Sequence, residues 1–145
     1  MTVRVGEWLG VEALVEPRAI RPGALATLEV VLRIPPGGHI QSDEPAEPFL
    51  VPTQVRIEEA ADLVFCPPGY PPAEVETFAW SPVELRVFRG TVRVEVLFAA
   101  LSDAAPGPRR IRGRVRYQGC TEALCLPPAE RAFETEMTVM AAEEG

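Results

Sequence analysis

Lysine and asparagine are absent from the chain, histidine occurs once, at position 39, and cysteine three times. All 14 basic residues are therefore arginine, and 21 acidic residues leave a net charge of −7. An acidic chain with no recognition motif is poorly suited to hold a phosphate backbone, so nucleic acid is not expected as a partner. With His39 as the sole histidine, no Gly-x-Ser-x-Gly and no phosphate-cradling glycine loop, the hydrolase classes have little support. No run of about 18 apolar residues exists, so no helix is expected to cross a membrane. No apolar segment follows a basic start, so these residues hold no secretory leader; Met1 is either the natural start or an addition to a chain trimmed of its leader or anchor. The few side-chain amides and the 16 prolines suit a thermophile or a GC-rich genome equally and decide nothing about function.

What is present belongs to an ordinary globular protein: 47% apolar and 24% charged residues, in a length that makes one domain (residues 1–145) with a real core. The periodicity is two almost throughout. Residues 11–15 read as a strand ended by Pro17. Leu28, Val30, Leu32 and Ile34 share one face of a second, stopped by Pro35-Pro36-Gly37-Gly38. Val55 and Ile57 alternate with Arg56 and Glu58, and residues 62–66 add a short strand. Val92, Val94, Val96 and Phe98 form another apolar face, as do Ile111 to Tyr117 and Phe133 to Val139. Arg109, Arg110, Arg112, Arg114 and Arg116 make the only basic cluster, and the last three alternate with apolar or small residues as the wet face of a strand does. Glu58-Glu59 and Glu143-Glu144 read as solvated surface or tail. Seven to nine short strands without a convincing helix predict an all-β, immunoglobulin-like antiparallel β-sandwich, with a closed barrel as the competing arrangement. Pro67-Pro68-Gly69-Tyr70-Pro71-Pro72 cannot lie in a central strand and opens a long loop, residues 67–82, of a length that is usually functional or mobile.

Cys120 and Cys125 enclose four residues, just past the strand ending at Tyr117 and just before Pro127-Pro128. Closing so small a ring stabilises a fold by only about 2 kcal/mol. Three readings of the pair stay open. It is a permanent staple across a turn, a pair of soft metal ligands, or a redox couple that exchanges with a partner's thiols. Zinc would want four ligands, and the chain offers three cysteines and one histidine. A copper site could use Cys120, Cys125 and His39, but Met137 and Met140 on the last strand add no evident motif. Cys66, the odd cysteine, reads first as a small buried apolar side chain and second as a free thiol.

Tyr117-Gln118-Gly119-Cys120, followed by Cys125-Leu126-Pro127-Pro128, resembles the active-site segment of the N-terminal domain of the thiol:disulfide interchange protein DsbD family. Ile34-Pro35-Pro36-Gly37-Gly38-His39-Ile40, Pro52-Thr53, and Phe88-Arg89-Gly90 ahead of Val92 and Val94 resemble further family elements, over about residues 11–139. The resemblance implies an immunoglobulin-like periplasmic domain with an active-site hairpin at about 111–139 and no cofactor or metal beyond its redox-active disulfide. It implies a protein-disulfide reductase activity that carries electrons from a membrane reductase, through a thioredoxin-like domain, to oxidised extracytoplasmic proteins such as those of cytochrome c maturation. Membrane attachment would come only through another domain. The resemblance assigns Cys125 to attack and Cys120 to resolution, Phe78 to a cap over the disulfide carried on residues 67–82, and His39 and Gln41 to places beside the cysteines. Tyr117, Gln118 and Glu122 complete the expected surroundings. Glu122, inside the ring, is expected to raise a nearby thiol pKa. The ring is one residue shorter than the family's usual spacing, and the usual tyrosines give way to His39 and Gln41. The alternatives are a non-catalytic immunoglobulin-like binding module with a structural disulfide, and a copper-handling relative.

Overall fold

A computed structural model describes residues 8–142 and contains, in chain order, β1 (Gly10–Glu16), β2 (Ala19–Ile20), β3 (Leu25–Arg33), β4 (His39–Gln41), β5 (Gln54–Ile57), β6 (Leu63–Phe65), β7 (Glu74–Glu76), β8 (Leu85–Phe88), β9 (Thr91–Ala100), β10 (Gly107–Tyr117), β11 (Gly119–Cys120) and β12 (Ala129–Val139). No helix occurs among the described residues. Glu143-Glu144 lies outside them.

Two four-stranded sheets, ordered β1-β3-β9-β6 and β2-β12-β10-β5, face each other. Alternation explains both. In β9, Val92, Val94, Val96 and Phe98 are buried while Thr91, Arg93, Glu95 and Leu97 are exposed. They meet Leu32, Val30, Leu28 and Ala26 of β3 in direct cross-strand register. A slip of one residue would turn that whole apolar row into water, so the register is firmly set. From the other sheet, Ile111, Val115, Tyr117, Phe133, Met137 and Val139 enter the same core. The outward arginines of β10 meet the glutamates of β12, with Arg110 near Glu134 and Glu136, Arg112 near Glu134, and Arg114 near Glu130. The basic cluster is thus the wet face of a strand. These exposed pairs neutralise it and contribute little stability.

The sandwich expected from the sequence is present and no barrel closes. A third sheet, ordered β11-β4-β8-β7, sits at one end. Part of the expected 67–82 loop belongs to it, because β7 pairs with β8. The first reading of Cys66 is overturned: its side chain is exposed, since the chain leaves the edge of β6 there and turns into Pro67-Pro68. Met137 packs in the core rather than toward the cysteines.

Gly113 marks a close approach in the second sheet. A Cβ there would lie 2.4 Å from the Arg56 carbonyl oxygen and 2.4 Å from the Phe133 ring. One contact is backbone and cannot yield. Gly113→Ala should therefore cost about 1–3 kcal/mol, measured as a lower urea midpoint at unchanged slope.

Candidate active site

Strands β4 and β11 of the third sheet are buried on both faces, and that placement builds the site. His39, Ile40 and Gln41 of β4 are all fully buried. Ile40 lies opposite Phe88 and Gly119, and both Ile40 and Phe88 belong to the sandwich core. Side chains one residue away point to the other face. There His39 lies opposite Cys120, and Gln41 opposite Val87. Val87 belongs to a separate small cluster with Leu50, Phe78 and Leu85. The core face is completed by Trp8, which stacks on Tyr117 at 6.3 Å between ring centroids. A Cβ added at Gly119 would come within 2.7 Å of the Trp8 ring, and one at Gly38 within 2.5 Å. The glycine before Cys120 is therefore required by the ring beneath it.

Cys120 and Cys125 are disulfide-bonded, with Cα atoms 3.9 Å apart as a cross-strand bridge. The ring closes through Thr121 N–H to the Leu124 carbonyl (2.7 Å) and Leu126 N–H to the Gly119 carbonyl (2.7 Å). The Thr121 hydroxyl accepts from the amides of Ala123 and Leu124, which fixes the turn. Gln118 anchors the segment from outside, accepting from Val51 N–H and donating to the Leu126 carbonyl. The two sulfurs are unequal in environment: Cys120 is fully buried, whereas Cys125 is partly exposed. Tyr117 is buried, and burial holds its hydroxyl pKa above the ordinary value.

The expected cap aromatic, Phe78, stacks on His39 at 4.4 Å between centroids and on Trp80 at 5.4 Å. It is buried, so it shields the imidazole opposite Cys120. A residue given no role in the sequence reading ties this arrangement together. Arg89, just after β8, donates to Glu76 at 2.5 Å, to the Gly38 carbonyl at 3.1 Å and to Glu122 at 3.3 Å. Its guanidinium also lies 5.9 Å from the Phe78 ring centroid. One arginine thus links β7, the turn into β4, the cap aromatic and the disulfide ring. Glu122 faces this cation, which weakens the like-charge effect on the cysteines expected from its position. Only the Phe88-Arg89-Gly90 element carried a sequence signal for Arg89. Nothing in the sequence marked Trp8.

His39 is the unusual member. Neither ring nitrogen makes a hydrogen bond within the protein, and Gln41 Oε1 is likewise unpaired. The Gln41 amide nitrogen lies 4.0 Å from Cys120 Sγ. Such buried orphan atoms typically cost about 1–3 kcal/mol each. Burial, and then the Arg89 charge, lower the His39 pKa, against opposing pulls from Glu76 and Glu122. Among the described residues no three His, Cys, Asp or Glu side chains converge to hold a metal ion.

The family profile for the N-terminal part of the thiol:disulfide interchange protein DsbD matches residues 7–137. The chain belongs to the DsbD N-terminal domain family. Comparison with curated proteins gives no match. Among solved structures, the N-terminal periplasmic domain of ScsB from Proteus mirabilis is similar at a TM-score of 0.54 and 12% identity, over 96% of this chain and 49% of that one. This chain thus spans about half the length of that relative. The complex between the DsbD and PilB N-terminal domains from Neisseria meningitidis is similar at a TM-score of 0.50 and 18% identity, over 94% of this chain and 85% of that one. Both likenesses are to the fold. In this DsbD-type domain the cysteine pair predicted from spacing is a disulfide. His39, Gln41, Tyr117, Gln118 and Glu122 lie around it, and Phe78 reaches it through His39.

A histidine held neutral by burial binds fewer protons folded than unfolded. Its contribution is full above the ordinary pKa of 6.5 and declines as pH falls toward its lowered folded value. Glu76, lowered chiefly by its hydrogen bond from Arg89, acts in a separate window below its ordinary 4.5. Urea unfolding of the oxidised protein should show stability declining as pH drops below 6.5, and His39→Phe should flatten that first decline while leaving the fall below pH 4.5.

Proposed function

We propose that the Cys120–Cys125 pair carries reducing equivalents, outside the cytoplasm, from a thioredoxin-like domain fed by a membrane reductase to oxidised protein disulfides. The observation that carries this reading is the inequality of the two sulfurs in a ring too small to brace the sandwich, within a chain of this family. The partly exposed Cys125 is suited to meet another protein's sulfur, and the buried Cys120 to finish the exchange. In the reduced domain the Cys125 thiolate attacks a partner disulfide. A mixed disulfide forms and one partner sulfur leaves as thiolate. Cys120 then attacks Cys125, the internal disulfide closes, and the second partner sulfur leaves. Two electrons pass to the partner and none are left over. The reverse sequence recharges the domain. A thioredoxin-like partner is supported by the family and by the neisserial complex, in which a DsbD N-terminal domain is bound to a PilB N-terminal domain.

Phe78 acts as the lid in this proposal, and Arg89 as its latch. With Phe78 against His39 and Arg89 bonded to Glu76 and Glu122, the ring is screened from stray thiols. A docking partner would displace both contacts together.

Cys125→Ser should abolish exchange with a reduced thioredoxin while the circular dichroism spectrum stays that of a folded β protein. A reduction potential between about −270 and −180 mV fits a carrier, whereas a value below about −300 mV together with unfolding of Cys125→Ser would make the bond a staple. The latch is tested separately. Its ion pairs are partly exposed, so after screening they hold the lid by only about 1 kcal/mol. Arg89→Ala should then speed reduction of the disulfide by dithiothreitol about fivefold, with little change in the reduction potential.

A further inference from the structure

Resolution requires Cys120 to lose a proton, and Cys120 has no surface of its own through which to lose it. The thiol formed on reduction sits inside the third sheet, between β4 and the disulfide ring. We propose that His39 is the base that takes the proton from Cys120 as the mixed disulfide resolves, and returns it when the domain is reduced again. This inference rests on the exchange reading above.

Three observations lead to it. His39 is the direct cross-strand partner of Cys120. Residues so paired in an antiparallel sheet share a face, with Cβ atoms about 4.5–5.5 Å apart. Both imidazole nitrogens are buried without a partner, so a neutral ring presents one free acceptor nitrogen. A disulfide has no proton to give it, whereas a thiol does; the vacant acceptor matches the reduced state. Gln41, two residues along the same face, brings its amide to 4.0 Å from Cys120 Sγ and can donate to a thiolate there.

The charged groups facing His39 are few. Arg89 at the end of β8 disfavours imidazolium, while Glu76 of β7 and Glu122 of the disulfide ring favour it. The lid contributes Phe78, which has no charge but excludes water. With the lid closed, burial and Arg89 keep the ring neutral and ready to accept. With the lid displaced by a partner, the burial penalty falls and the two glutamates remain, so the ring can hold a proton and hand it to solvent. Glu122 is a poorer base for the task, because its side chain is 73% exposed and already paired with Arg89.

The step balances. The Cys120 S–H bond breaks and an N–H bond forms on His39. The Cys120 sulfur attacks the Cys125 sulfur, the internal S–S bond forms as the Cys125–partner bond breaks, and the electron pair leaves on the partner sulfur. That thiolate draws its proton from solvent.

The test uses the full chain with Cys66→Ser, since the exposed Cys66 thiol would otherwise react. The reduced protein is mixed in stopped flow with dithionitrobenzoate, which releases one coloured thiolate when Cys125 attacks and a second when Cys120 resolves. The second phase should slow on acidification along a limb set by the imidazole. In His39→Gln and His39→Phe that limb should vanish, and at pH 7 the second phase should fall at least about tenfold more than the first. Two variants are used because one keeps a polar side chain and the other the ring stack. If both retain the limb, or if both phases fall by the same factor, His39 only packs the site and the proposal is overturned. If the folded wild type releases no colour while the urea-unfolded chain does, the exchange reading itself fails.

Discussion

Two residues of β11 laid against β4 decide what happens at this end of the molecule. The pairing puts Gly119 against Ile40 and Cys120 against His39, so alternate positions must serve opposite faces. One face has to close onto the sandwich core, and Ile40, Phe88 and Trp8 do so. The other must then carry the cysteine, and it cannot be left in water, because Val87 and Leu85 share it. The cover comes from Phe78 and Leu50, brought in by loops on either side. Phe78 is therefore a packing requirement of strands with two inner faces, and in the proposed exchange it is also a screen for chemistry.

That geometry also explains what the sequence showed and what it hid. The long strands announce themselves. From Thr91 to Ala100 every second residue is apolar, because one face is wet and the other buried, and alternation is the record of that asymmetry. β10 is legible for the same reason, with its outward arginines. β4 is not. His39, Ile40 and Gln41 are all buried, so no alternation survives, and three residues are too few for a pattern. β7 hid among prolines, and its pairing with β8 is fixed by tertiary contacts rather than by its own composition. The cysteine ring was legible from local spacing and from the Tyr117-Gln118-Gly119-Cys120 motif. Arg89 was not, because its partners Glu76, Gly38 and Glu122 lie 13, 51 and 33 residues away and no local rule brings them together. Cys66 was misread because its neighbours Val64 and Phe65 are apolar, yet it falls where the edge strand ends and the chain turns outward.

The short ring gains meaning from its setting. A disulfide that spans five peptide bonds, Cys120 to Cys125, adds little to the entropy balance of a 145-residue fold. The sandwich holds itself together through the contact of two long sheets, and Tyr117 and Ile111 pack in the core between them. Opening the bond therefore need not disturb the platform. A couple that cycles between two redox states needs that independence, because its potential would otherwise be burdened by refolding.

The least economical feature of the site points the same way. A protein selected for stability alone would not keep an imidazole and an amide oxygen buried without partners; a phenylalanine and a leucine would fill the space at no polar cost. His39 and Gln41 are tolerated in the oxidised state because the surrounding sheet fixes them. Both residues share the face of one cysteine: His39 is the cross-strand partner of Cys120, and the Gln41 amide nitrogen lies 4.0 Å from its sulfur. In the proposed exchange, reduction places one S–H donor on Cys120, opposite the acceptor nitrogen of His39, and would relieve part of that polar cost.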